Sequence, residues 1–306
     1  MNKTLRTLVN TIKEGKYNNT YKMCWIRSII EILILKPNKK QISFEELSTI
    51  IFKNYWNQTI FFNLNQGPIN QKPGICKIVE NNINEYKKNY GHQPIFYERV
   101  STKIKIDKKK ICNLLKENVS WRFLDKNNSI YKLDKNNETL YLKDTNTLKK
   151  YADLLLEVIN YKWTEILEDF NSSPRISKKV NGTYKKNIKR GNLKNFKKFL
   201  DIENPNRLDF LTGKKIIDNN LSIHHVIPWS YMYSDDLWNL VYLDKTINSK
   251  ISNRQPREKD IKKLELRNLK LLKTLEKKKN NNKIISELRL AIENNYVRKF
   301  WISFKG

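Results

Sequence analysis

Two of the chain's three histidines stand side by side, His224 and His225, inside a strand-like run from Leu221 to Ile227. Pro228 ends that run, because proline has no N–H to give a ladder. A ten-residue loop, Trp229 to Trp238, leads to Asn239 and a second apolar run, Asn239 to Leu243. Asp244 can then cap a helix starting at Lys245, which would present Asn248 from its first turns. Strand, loop, strand and helix, with His-His, Asn and Asn at fixed places, leave few arrangements open to residues 204–256, where the catalytic core is expected.

The spacing has a chemical logic. Neighbours on a strand point to opposite faces, so adjacent histidines are poorly placed to grip one ion together. They are well placed to divide labour, one binding a metal and the other activating water, a task that suits an imidazole titrating near neutrality. The oxygen of Asn248 can supply a further ligand, with phosphate oxygens and waters completing the shell, as Mg²⁺ prefers.

Composition points to a polyanionic partner. Sixty basic residues face 31 acidic ones, for a net charge of +29. A field of that sign attracts nucleic acid or an anionic membrane surface. From Phe170 to Leu200 there is no acidic residue but there are ten basic ones, Arg175 to Lys198. Tyr184, Phe196 and Phe199 are too few to make an apolar helix face there, so the run reads as a nucleic-acid contact rather than a membrane anchor. Its candidate contacts are Arg175, Lys178, Lys179, Lys185, Lys186, Lys189 and Arg190, joined by Lys250 and Arg254 from the core; a solvated face is the plainer reading. Cys24, Cys76 and Cys112 are odd in number and far apart, which argues against disulfides and against a cysteine-bound zinc. The polar start and the short apolar run Ile29–Leu35 lead us to expect a soluble, cytoplasmic protein.

The pattern predicts an α+β chain. Tyr21, Trp25, Ile29 and Ile32 mark a helix over 18–35, closed by Pro37, and Ser43 with Glu46 forms a capping box ahead of a second helix carrying Leu47, Ile51 and Tyr55. The pair reads as scaffold, with a DNA-reading helix-turn-helix as the alternative. Residues 75–90 are again helical. Trp121–Leu124, Ile130–Leu133 and Leu140–Leu142 read as a three-stranded meander, followed by a helix over 148–170. We expect a helical recognition or partner-binding region at 1–110, the meander with its helix at 111–170, and 171–306 holding the basic lead-in, the core and C-terminal helices. Residues 277–282 read as a loop between two of those helices. Asp235 and Asp236 read as solvated loop acids, with metal ligation the alternative. His92, beside Gly91, reads as a buried structural histidine.

H-H-V-I-P-W-S, L-W-N-L-V and I-N-S-K-I-S-N-R-Q-P resemble the motifs of the HNH nuclease family, and in particular the HNH domains of CRISPR effector nucleases and restriction-type endonucleases. The stretch Trp163 to Val180 and the later L-T-G-K-K are similar to the lead-in of such proteins, so the resemblance covers roughly 160–256. It implies a ββα-metal module that hydrolyses DNA. It also implies His225 as general base, His224 and Asn248 as metal ligands, and Asn239 as the residue orienting the loop. Three departures stand out. Many relatives have Asp where His224 stands, which admits Mn²⁺ or Ni²⁺ beside the expected Mg²⁺. The family lysine usually follows the helix Asn by three; here that place is Ile251 and Lys250 comes one earlier. The paired cysteines of zinc-stabilised relatives are missing, so no structural zinc is expected and Trp229, Trp238 and Tyr242 are the packing candidates. Restriction of foreign DNA is the implied role. The alternatives are a catalytically silent DNA-binding protein and a nuclease of structured RNA. One such site cuts one strand, so a double-strand break would need a homodimer or two visits.

Overall fold

The computed structural model describes residues 3–15, 17–122, 129–171, 173–251, 253–277 and 282–305, and of Ile69 the backbone alone. It is predominantly helical with two small antiparallel sheets, and none of its described helices is long and apolar enough to cross a membrane. The chain forms two units. The first comprises Met1–Asn171 and Ile176–Asn187, the second Ser172–Arg175 and Ile188–Gly306. The chain thus passes into the second unit and back before leaving the first for good.

At the heart of the first unit, the helix Tyr21–Leu35 buries twelve of its fifteen residues. The next helix, Phe44–Phe62, is nucleated by the expected capping box: Ser43 Oγ accepts from Glu46 N at 3.2 Å, and Glu46 Oε2 accepts from Ser43 N at 3.2 Å. Phe44, Phe52, Tyr55, Trp56 and Phe62 of this helix are buried. Little of either helix is left facing solvent. Polar side chains within this core are joined to one another. Gln66 Oε1 accepts from Thr20 Oγ1 at 2.9 Å and Trp163 Nε1 at 3.0 Å, while its Nε2 donates to Gln58 Oε1 at 2.7 Å. The buried Arg27 guanidinium is matched by Glu31 at 2.8 Å, which also binds Lys53 at 2.8 Å, and lies 5.4 Å from the Trp163 ring and 5.0 Å from that of Tyr184. Burying one such charge without its partner would cost several kcal/mol.

The meander differs from expectation. Strands β2 (Tyr131–Asp134) and β3 (Thr139–Leu142) form its hairpin, but the third strand is β1, Gln41–Ser43, giving the order β1-β3-β2. Trp121 and Arg122 lie instead in a turn after the helix Lys108–Asn118, and residues 123–124 fall outside the described set. The β1–β3 pairing of Gln41 with Tyr141 crosses the division placed at residue 110, because β3 needs a partner on its second edge and the N-terminal region supplies it. His92 is exposed, not buried, since it follows the helix Gly74–Tyr90 into an irregular segment. The loop expected at 277–282 lies outside the described residues at 278–281; Lys277 ends one helix and Lys283 begins the next.

In the second unit, β4 (Leu221–His225) and β5 (Leu240–Asp244) pair antiparallel, with His225 opposite Leu240 and Leu221 opposite Asp244. The helix Lys245–Ile251 packs on both strands. Its start is fixed as expected, with Thr246 N donating to Asp244 Oδ1 at 2.8 Å. Helices Lys194–Glu203, Glu258–Lys277, Lys283–Glu293 and Tyr296–Lys305 bury Phe199, Leu264, Leu271, Leu288 and Trp301 against the hairpin's Leu240, Val241 and Leu243. Trp229, Trp238 and Tyr242 are buried, as expected of packing residues. Asp209 locks the L-T-G-K-K turn to β5. Its Oδ1 accepts from Leu211 N, Thr212 N and Thr212 Oγ1 at 2.8–3.0 Å, and its Oδ2 from Asp244 N at 2.9 Å. Gly213 completes that turn with φ +73°, a conformation that L side chains seldom adopt. Asp209→Ala strands several of these donors, and we expect a loss of about 3 kcal/mol, read as a lower midpoint in urea unfolding followed by tryptophan fluorescence.

Candidate active site

The site begins with a side chain that closes a loop. Asn239, fully buried, donates from Nδ2 to Ile227 O at 2.8 Å and accepts at Oδ1 from Ile227 N at 2.8 Å, while its own carbonyl accepts from Val226 N at 2.9 Å. An amide carries a donor and an acceptor on adjacent atoms, so it can satisfy both backbone groups of a single residue at once. The two ends of the loop are thereby held together. Asn239 stands in a short 3-10 turn just before β5, not as the strand's first residue. The loop itself contains a helical turn, Trp229–Met232, and Ser230 Oγ within it donates to Asn253 Oδ1 at 3.0 Å.

The C-terminal helix Glu258–Lys277 grips the same backbone from behind. Buried Arg267 donates to the carbonyls of Leu237, at 3.3 Å, and Leu240, and Asn268 Nδ2 donates to Trp238 O at 2.9 Å. Burial lowers the Arg267 pKa to about 10, partly offset by Glu203, so the guanidinium stays charged at neutral pH. Both residues escaped the sequence reading, because they sit in an ordinary amphipathic helix with no motif to mark them.

On this frame the two histidines diverge. His224, half-buried, turns towards the helix Lys245–Ile251, its Nδ1 lying 2.9 Å from Asn248 Oδ1. Asn248 Nδ2 donates to Ser222 Oγ at 3.2 Å, and that hydroxyl donates to Leu243 O at 2.6 Å, which fixes the amide's orientation. Its Oδ1 can only accept, so His224 carries its hydrogen on Nδ1. His225, buried, turns to the loop, its Nε2 lying 2.9 Å from Asp235 Oδ1. The other oxygen, Asp235 Oδ2, accepts from Gly191 N at 3.2 Å. The structure therefore brings His224 to Asn248 and His225 to Asp235, as two pairs on either face of one strand.

The electrostatics follow from burial. His224 is driven down to about 4, chiefly by desolvation, with the Asn248 hydrogen bond opposing. His225 is also lowered, desolvation outweighing its bond to Asp235. Both rings are neutral at pH 7. Burial pushes the Asp235 carboxyl up, but His225, Gly191 N–H and the Arg190 charge together hold it below its ordinary value.

His224 and Asn248 fit a divalent cation. Two adjacent ligands each about 2.1 Å from an octahedral ion lie about 3 Å apart, the separation seen here. Ligation through Nδ1 requires the His224 hydrogen to move to Nε2. Among the described residues no group of three or more His, Cys, Asp and Glu side chains gathers to hold an ion.

The basic run does not behave as one surface. Lys179 is fully buried with its ammonium 5.8 Å from the Phe62 ring, because the helix Ile176–Tyr184 turns that face inward, so it is removed from the nucleic-acid candidates. Lys185 pairs with Glu157 at 3.2 Å and Lys186 with Glu98 at 2.9 Å, all within the first unit. Lys178 is exposed in that unit. In the second unit, Arg175, Lys189, Arg190, Lys250 and Arg254 are exposed, and the Arg190 guanidinium lies 5.3 Å from the Trp229 ring. Asp235, expected to be a solvated loop acid, is instead half-buried against His225; the only sequence signal for this was its position inside the loop that Asn239 closes.

Residues 209–257 match the family model of the HNH endonucleases. No curated protein and no solved structure matches the chain. Since His224 titrates lower in the folded chain than in the unfolded one, the unfolded state binds more protons between about pH 4 and 6.5. Stability should therefore fall as pH drops through that window. In His224→Asn, measured with a chelator present, the drop in unfolding midpoint from pH 7 to 4.5 should be smaller than in the unmutated chain.

Proposed function

We propose that the segment matching the HNH endonucleases makes this chain a metal-dependent nuclease that hydrolyses DNA phosphodiester bonds through a ββα-metal module. The observation that carries the reading is the 2.9 Å approach of His224 Nδ1 to Asn248 Oδ1, which unites the strand and the helix of the matched segment at two donors suited to one cation. These two residues would hold Mg²⁺, or Mn²⁺ or Ni²⁺, whose chemistry there is to neutralise charge on the phosphate and on the leaving oxygen.

His225 is the general base. Neutral at pH 7, it takes a proton from water as the water oxygen bonds to phosphorus. The phosphorus–oxygen bond to the leaving group then breaks, and that oxygen acquires a proton from solvent. Asn239 keeps the loop closed while this happens. Arg190, Lys189, Lys250 and Arg254 are the exposed cations of this unit that we assign to backbone phosphates, and the net charge of +29 supports a polyanionic substrate. Restriction of foreign DNA is the role we attach to the activity.

Supercoiled plasmid should be nicked with Mg²⁺ or Mn²⁺ and left intact with EDTA. His225→Ala should slow cutting by at least about 100-fold. Cutting by that variant at the unmutated rate, or cutting that ignores EDTA, would overturn the assignment. A structured RNA incubated in parallel should survive.

A further inference from the structure

We propose that Asp235, held from behind by the backbone of Gly191, is the positioning residue that fixes the tautomer and orientation of His225; the inference rests on the nuclease reading above. A carboxylate has no hydrogen to give, so the 2.9 Å contact between Asp235 Oδ1 and His225 Nε2 requires the hydrogen on Nε2. The lone pair is then on Nδ1, and Nδ1 is the atom that receives the proton from water. When it does, the ring becomes an imidazolium beside a carboxylate already ionised, and the pair carries no net charge. A buried imidazolium without that partner would be costly.

Two features show that the carboxylate is set for this task. Its second oxygen accepts from Gly191 N at 3.2 Å, so each oxygen has its own donor and the group cannot rotate without losing one. Moreover, a Cβ on Gly191 would lie 2.5 Å from Asp235 Oδ2, nearer than real Cβ contacts come. Any side chain there would displace the far end of Asp235, and with it the contact to His225.

The same two donors predict what Asp235→Asn does. The amide oxygen can face Gly191 N–H or His225, but not both, and turning the NH2 towards Gly191 N–H sets donor against donor. The oxygen therefore goes to Gly191 and the NH2 to His225 Nε2. His225 must then carry its hydrogen on Nδ1, leaving no lone pair there to accept a proton. The charge of the side chain is lost, but its size and shape are kept.

The experiment measures plasmid nicking by the full-length chain with Mg²⁺ and, separately, the ¹⁵N shifts of the His225 ring in the unmutated chain, Asp235→Asn and Gly191→Ala. In a serine-protease triad the equivalent Asp→Asn change costs about 10⁴ in kcat. We expect kcat to fall by at least about 100-fold in Asp235→Asn and by about tenfold in Gly191→Ala, with KM within twofold in both. We also expect the ring hydrogen on Nε2 in the unmutated chain and moved to Nδ1 in Asp235→Asn. The proposal fails if both variants keep kcat within twofold while His225→Ala is inactive, or if the Asp235→Asn ring keeps its hydrogen on Nε2. If the unmutated chain cuts nothing, the nuclease reading has failed instead, and the ring shifts still decide whether Asp235 and Gly191 set the tautomer.

Discussion

Everything at the site depends on one side-chain amide answering both backbone groups of one residue. Asn239 and Ile227 exchange two hydrogen bonds at 2.8 Å, and in doing so they bring together the ends of a loop that sequence alone leaves open. With the loop closed, Asp235 reaches back to His225, and β5 leaves in register to pair with β4. Since the amide is fully buried, losing it would expose two backbone groups to an environment without water, each worth about 1–3 kcal/mol. Nothing else in the loop offers the same pair of groups at that place.

A hairpin of two five-residue strands is too small to hold such a loop unaided. The C-terminal helices make up the difference. Arg267 and Asn268 bind the carbonyls that flank Asn239, and Trp238 stacks on Phe300 with ring centroids 6.0 Å apart. Asp209 secures the other end of β5. Buried polar contacts of this kind are directional, so they position a backbone more closely than apolar packing alone. This is how a chain whose three cysteines are all buried and free keeps the strand of His224 and the helix of Asn248 in register.

Most of the site was legible because its residues sit at fixed intervals on regular elements. Strand alternation separates His224 from His225, and an Asp cap sets the phase that points Asn248 at His224. Asp235 was not legible, since a loop has no period and ten residues of separation from His225 say nothing about direction. Charge counting failed at Lys179 for a related reason: a tally of basic residues does not reveal which face of a helix turns inward. In the fold, the capping box at Ser43 was readable because both partners lie within one turn. The pairing of β1 with β3 was not, because three residues carry no pattern of their own and their partner lies about a hundred positions away.

The double passage between the units has a consequence for how the protein is made. Helix Ile176–Tyr184 contributes buried Val180 and the Tyr184 ring against Arg27, yet it is encoded after Ser172–Arg175, which belong to the other unit. During synthesis the first unit cannot finish until residue 184 has left the ribosome, so its core waits with one side open while the next unit's first residues are already out. A gene fragment beginning near 171 would inherit that helix without the core it was shaped for, whereas one beginning at 188 would not. The natural seam in the message therefore lies at the second crossing.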